Sequence, residues 1–240
     1  MIDLHCHILP GIDDGARDPA DALAMARQAE ADGIEAICAT PHVRHDHDVR
    51  IGELPARLAA LNQAIGRAAC RARVLAGGEV AASTLAGLDD EELAAVSLGG
   101  SRRWILLEPV RGPLDDSLDA AVLELRSRGF RALIAHPERH LASDLVARLR
   151  RLISEGALIQ ATAAFLVDPP TRGGMLALAA AGVIHVLGSD SHSSRAGHPV
   201  ALAAGLKALA TVPSLAPHMR WIAETAPRAI VAGEELAPPF

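Results

Sequence analysis

The chain opens Ile2-Asp3-Leu4-His5-Cys6-His7 and soon continues with Asp13-Asp14-Gly15. In a strand, residues two apart point to the same side. His5 and His7 can therefore turn both imidazoles to one point, with carboxylates close behind. Mixed imidazole and carboxylate donors are what divalent metals such as Zn, Mn and Fe(II) take. One His-x-His pair is a weak signal, and its weight depends on what recurs further along.

Seven apolar runs alternate with helical patterns. The runs are residues 2–7, 34–40, 73–80, 104–109, 132–136, 157–163 and 183–188. Helices are expected over 18–32, 53–72, 114–128, 143–155 and 171–181, then over 199–209, 214–224 and 227–232. Gly33, Gly129, Gly156 and Gly182 follow helices, where a left-handed cap is expected. This alternation argues for parallel βαβ units, and seven runs suggest a barrel rather than an open sheet. Residues 13–17 and 43–52 read as loops. No linker or repeat is visible, so residues 1–240 read as one domain.

Most runs end in a residue that can ligate metal. After His5 and His7 come Thr40-Pro41-His42, Gly78-Glu79, Leu107-Glu108, Ala135-His136 and Ser189-Asp190-Ser191-His192. The carboxyl ends of parallel strands share one face of a barrel, where ligands gather. His5, His7, Asp14, His42, Glu79, Glu108, His136, Asp190 and His192 would then converge. Singly, each is more often a surface or ion-paired residue; at six strand ends together, chance is a poor explanation. Nine groups exceed what one ion takes, and bridging carboxylates would let them hold two or three divalent ions. His45, His47 and Asp48 lie in a polar loop and read as solvated. His140, His185 and His218 lack the strand-end setting and read as structural.

Across almost the whole chain these motifs resemble the PHP (polymerase and histidinol phosphatase) superfamily. The opening D-L-H-C-H-I-L-P-G-I-D-D-G-A resembles more narrowly the bacterial metal-dependent protein-tyrosine phosphatases of capsule and exopolysaccharide synthesis, the CpsB/YwqE group. T-P-H, G-G-E-V, L-L-E, I-A-H-P-E-R and G-S-D-S-H follow in the same order. The resemblance implies a distorted seven-stranded (β/α) PHP barrel, TIM-barrel-like, with a three-metal centre on those nine ligands. It implies a phosphate-binding role for Arg139. A second arginine is expected in a G-R-P-P-like stretch, but the chain reads Ser194-Arg195-Ala196-Gly197-His198-Pro199. His198 replaces that arginine, with Arg195 close by. The implied partner is a bacterial tyrosine kinase bearing phosphotyrosine.

Phosphomonoester hydrolysis is slow in water, so such a site must lower the barrier greatly. Adjacent metals activate a bound water to hydroxide, and an arginine fork neutralises the phosphoryl oxygens. In-line attack by that hydroxide, with no covalent enzyme intermediate, is the expectation. A phenolate leaves more readily than an alkoxide, its pKa being about 10. His42 or His192 would protonate it if free of metal, and Arg44 would reach an incoming phosphate from its loop. The alternative on the same scaffold is a small-molecule phosphatase such as histidinol-phosphate phosphatase.

Composition narrows the rest. A net charge of −6 gives no footprint for nucleic acid. No basic cluster or apolar stretch of about 18 residues points to membrane insertion. Three cysteines without a Cys-x-x-Cys spacing suit a reducing, cytoplasmic setting. With no tyrosine, the chain cannot be its own phosphotyrosine substrate. Cys38 and Arg44 have the spacing of cysteine-dependent phosphatases, yet Cys38 lies inside an apolar run and Pro41 removes a needed N–H donor. Cys38→Ser should keep most phosphatase activity. A dead Cys38→Ser enzyme with its metals intact would revive the cysteine mechanism.

Overall fold

The computed structural model describes residues 1–140 and 142–240. β1 (Ile2–Cys6) leads to α1 (Pro19–Asp32), then to β2 (Ala36–Ala39), β3 (His42–Val43) and α2 (Leu54–Arg67). β4 (Arg73–Leu75), β5 (Glu79–Ala81), α3 (Asp90–Ala95), β6 (Trp104–Glu108) and α4 (Asp116–Ser127) follow. Next come β7 (Arg131–Ile134), α5 (Leu145–Ser154), β8 (Leu158–Thr162), α6 (Pro169–Ala180), β9 (Val186–Gly188), α7 (Ala203–Leu209) and α8 (Ala226–Ala232). Parallel ladders order the strands as β1-β2-β4 and as β3-β5-β6-β7-β8-β9.

The seven runs give nine strand segments among the described residues, because two runs break. Residues 34–40 part at Thr40-Pro41, where proline has no N–H for a ladder. Residues 73–80 part at Ala76-Gly77-Gly78. There a Cβ on Gly77 would meet the Ala39 carbonyl at 2.9 Å, and one on Gly78 the Val96 Cβ at 2.8 Å. Each break hands its run from the three-stranded sheet to the six-stranded one. The outer strands of the two sheets also meet: His7 N–H donates to the Ser191 carbonyl at 2.9 Å, and Asp190 N–H to that of His5 at 2.8 Å. The result is an α/β fold around a curled parallel sheet. The seam is pinned by buried Asp3, which accepts from Ser189 Oγ at 2.6 Å and from the N–H groups of Ser189 and His5 at 3.0 and 3.1 Å.

Helix ends follow local chemistry. Asp18 caps α1, accepting from Asp21 N–H at 2.8 Å, and Gly33 closes it at φ 83°. α3 was not anticipated, although Asp89 and Glu92 form a reciprocal capping box there. The helix expected over 214–224 is irregular: a 3₁₀ turn (Ala216–His218), two helical residues and a π turn (Trp221–Thr225) that runs on into α8, with Pro217 and Pro227 in the stretch.

Two apolar clusters result. The larger packs the sheet against α1–α7. The smaller joins Ile2, Leu4, Trp104, Leu106, Leu133, Leu158 and Val186 with Ala226 and Ile230 of α8. Because it draws on strands around the whole curl, it fills the concave side. Alternate strand residues share a face, so Glu108 stands above Leu106 and Gln160 above Leu158. The apolar filling thus ends in a polar rim at the carboxyl ends of the strands.

Just before β9, buried His185 accepts the Ile159 N–H on Nδ1 at 2.9 Å and stacks on Phe240, ring centres 5.9 Å apart. Burial pushes its pKa down to about 4. The unfolded chain therefore binds this proton first as pH falls, so the stabilisation is complete above about 6.5 and drains toward 4. His185→Gln should lose less stability between pH 7 and pH 4.5 than the wild type, by on the order of 2 kcal/mol in urea unfolding. Equal losses would refute the assignment.

Candidate metal centre

Glu79, fully buried at the start of β5, is the hub. Its Oε1 lies 2.7 Å from His136 Nε2. Its Oε2 lies 2.9 Å from His42 Nδ1 and 3.4 Å from Nε2 of both His5 and His7. Asp190 Oδ1 approaches the same two Nε2 atoms at 3.4 and 3.7 Å. On the outer side, Asp14 Oδ1 lies 3.4 Å from His42 Nε2 and 3.5 Å from His192 Nε2. Glu108 Oε2 is 3.9 Å from His42 Nδ1.

Four ligand groups emerge among the described residues: His7, Asp14, His42 and His192; His5, His7 and Asp190; His5, Glu79 and His136; His42, Glu79 and Glu108. They share His7, His5, Glu79 and His42 as links, so they form one ring containing all nine residues expected from the sequence. Buried Glu79 Oε2, Asp190 Oδ1 and His42 Nδ1 have no hydrogen-bond partner. Such bare donor atoms, crowded within 4 Å, are costly unless a cation sits among them. Tetrahedral ligands about 2.1 Å from one ion lie about 3.4 Å from each other, which matches the spacing found here. The residues fit divalent metal.

The imidazoles are aimed by partners behind them. His5 Nδ1–H donates to Gln160 Oε1 at 2.9 Å, and His7 Nδ1–H to Asp13 Oδ2 at 3.0 Å. His192 Nδ1–H donates to the Asp190 carbonyl at 3.0 Å. All three therefore turn a bare Nε2 inward. Two other ligands depend on unusual backbone: His136 has φ 35° and Asp190 φ 52°. Alternation along β7 would turn His136 away, and its left-handed backbone brings it back; such strain gathers at functional sites. Close packing excludes side chains nearby. A Cβ on Gly15 would meet the His7 carbonyl at 2.2 Å, and one on Gly188 the His5 Cβ at 2.7 Å.

Electrostatics follow. Burial opposes the charge on Glu79, yet His5, His136 and His42 outweigh it and hold its carboxyl far below the usual range. Burial also opposes a proton on His7, but Asp13 and Glu79 raise its pKa to about 10. His192 goes the other way, to about 4, through burial and then the charge on His7. Of the expected cations, Arg139 pairs with Asp190 and is 42% exposed. Arg44 bonds both Glu108 oxygens, at 3.1 and 3.2 Å, and Asp46 at 2.6 Å. No described contact joins Arg195 or His198 to the ring: Arg195 is exposed, and His198 sets its ring edge-on to Phe165 at 5.0 Å. Cys38 is buried, and burial pushes its thiol up to about 12, unsuited to a nucleophile.

Sequence reasoning passed over several participants. Asp13 is the orienting carboxylate, also accepting from His42 N–H at 3.1 Å, while Asp14 is the ring member. Asp3 and Gln160 were readable as lone polar residues inside apolar runs. His47, read as solvated, instead stacks on His42 with ring centres 4.8 Å apart and lies 3.2 Å from Arg44. His140 is buried beside His136, ring centres 6.3 Å apart.

A sequence model described as "Capsular polysaccharide synthesis, CpsB/CapC" matches residues 1–210. The chain belongs to the CpsB/CapC family. Within the family's range it is 35% identical over 203 residues to the tyrosine-protein phosphatase YwqE of Bacillus subtilis (strain 168), covering 80% of this chain and 78% of that protein. It is 28% identical to the putative tyrosine-protein phosphatase CapC of Staphylococcus aureus, covering 80% and 77%. A chain from the crystal structures of YwqE from B. subtilis and CpsB from Streptococcus pneumoniae, described as unique metal-dependent tyrosine phosphatases, superposes with TM-score 0.82. Its identity is 26%, covering 98% of this chain and 95% of that one. A TatD homologue, YJJV of Escherichia coli, at TM-score 0.50 and 13% identity, shares the fold alone.

Asp13→Asn should leave every ring ligand in place yet lower metal affinity about 10- to 100-fold, read by metal titration. An unchanged affinity would remove Asp13 from the support of His7.

Proposed function

We propose that this chain is a metal-dependent protein-tyrosine phosphatase of capsule or exopolysaccharide synthesis, acting on a phosphotyrosine-bearing bacterial tyrosine kinase. The observation that carries it is the ring of nine linked ligands, complete and bordered by an arginine. Residues 1–240 are read as one phosphatase domain, a distorted seven-stranded barrel with two broken staves. The relatives named as tyrosine-protein phosphatases support the reaction, and the capsule family supports the setting. A cytoplasmic place is supported by three free, buried cysteines. No helix among the described residues is long and apolar enough to cross a membrane.

His5, His7, Asp14, His42, Glu79, Glu108, His136, Asp190 and His192 would hold two or three divalent ions of Mn, Zn or Fe. When bound, these supply Lewis acidity and an activated water. The protein's own part is placement. Arg139, partly exposed and paired with Asp190, would meet a phosphoryl oxygen. Committed as ligands, His42 and His192 would not serve as the general acid, which suits a phenolate that departs without one. The acidic ring alone would repel a phosphate dianion, so the reaction needs the metals and Arg139 together.

Elemental analysis paired with phosphotyrosyl-peptide and histidinol-phosphate assays tests this reading. The peptide should be the better substrate, and chelation or His136→Ala should remove more than about 99% of turnover. Full activity after exhaustive metal removal refutes the metal role, and preference for histidinol phosphate refutes the substrate class.

A further inference from the structure

Two open cavities border the ring and share the wall formed by Glu108, Pro109 and Arg111. One, about 330 Å³, also has Arg44 and Ser83 in its lining. The other, about 380 Å³, has His136, Arg139 and His140. Each thus joins a ring ligand to a guanidinium. Two of these guanidiniums are already committed: Arg44 to Glu108 and Asp46, Arg139 to Asp190. Arg111 is exposed, lines both cavities and forms no salt bridge among the described residues.

Its loop is tied down. Buried His140 donates from Nδ1–H to the Gly112 carbonyl at 2.7 Å, and Gly112 takes φ 110°, a conformation open to glycine. That bond joins the loop after β6 to the 3₁₀ turn Pro137–Arg139. Arg111, Arg139 and His136 all line one cavity.

We propose that Arg111 is a phosphate-binding residue of this site, the second guanidinium that joins Arg139 on the phosphoryl group. This rests on the phosphomonoesterase reading above. It answers the departure at His198, which packs on Phe165 where an arginine was expected. The argument is one of charge. A phosphate dianion entering past Glu108 and Asp190 needs positive charge that the carboxylates have not already balanced, and among the cavity-lining arginines Arg111 supplies it. His140 acts through Gly112, as a positioning residue.

The test titrates inorganic phosphate into metal-loaded wild type, Arg111→Met, Arg111→Lys and His140→Phe by calorimetry, with metal content checked. KM and kcat are measured for p-nitrophenyl phosphate and a phosphotyrosyl peptide. Arg111→Met should weaken phosphate binding about tenfold. It should also raise KM equally for both esters, by more than kcat falls, with Arg111→Lys restoring part. His140→Phe should show the same pattern, smaller. Unchanged phosphate affinity in Arg111→Met overturns the proposal. So does a loss confined to the peptide, which would make Arg111 a reader of peptide carboxylates. If wild type cleaves neither ester, the phosphatase reading falls, while the phosphate titration still decides for or against Arg111.

Discussion

One buried carboxylate organises this molecule. Glu79 has no access to solvent, and four imidazoles crowd its two oxygens. A buried charge on that scale is tolerable only if opposite charge surrounds it. Protons on the histidines can supply it, and so can metal ions; the structure is arranged for either, because every donor atom points inward. The curled sheet, the broken runs and the left-handed backbone at His136 and Asp190 all serve to bring side chains from distant segments to this point.

Around that hub the second layer is as specific as the first. Asp13, Gln160 and the Asp190 carbonyl each take an imidazole N–H and thereby fix which nitrogen is bare. Asp3 does for the backbone what they do for the rings. Burial pushes its pKa up to about 6, yet three hydrogen bonds hold it across the seam between β1 and Ser189. The ring geometry is thus set from behind, by Asp3, Asp13, Gln160 and one backbone carbonyl, none of which offers a ligand atom to the ring.

The sequence made eight of the nine ring residues readable because they stand at the ends of apolar runs, a pattern that survives uncertainty about strand edges; Asp14 comes from the loop behind the first run. The α/β alternation was readable for the same reason. What sequence left hidden was set by tertiary packing. Thr40-Pro41 and Gly77-Gly78 look like run ends or turns, and only the pairing shows that each run changes sheets there. Asp13 and Asp14 are adjacent carboxylates with no local difference, so backbone direction alone assigns one to His7 and the other to the ring. His47 belongs to a polar loop by composition, and its stacking on His42 arises from how that loop folds over. α3 is the exception: its capping box was legible and was passed over.

The seam between β1 and the residues after β9 has a bearing on how the protein matures. Cys6 and Ser191 bridge across a separation of 185 residues. Ligands from both sides of that seam complete the same ring, so a nascent chain lacking the later segment has no such site. Long-range closure of this kind is slow and comes late in folding. Ions that bind only the closed form then add their binding free energy to its stability. If the ring holds metal as proposed, metal acquisition would reward finished molecules over partial ones, and a cell short of metal would hold a population more open to proteolysis.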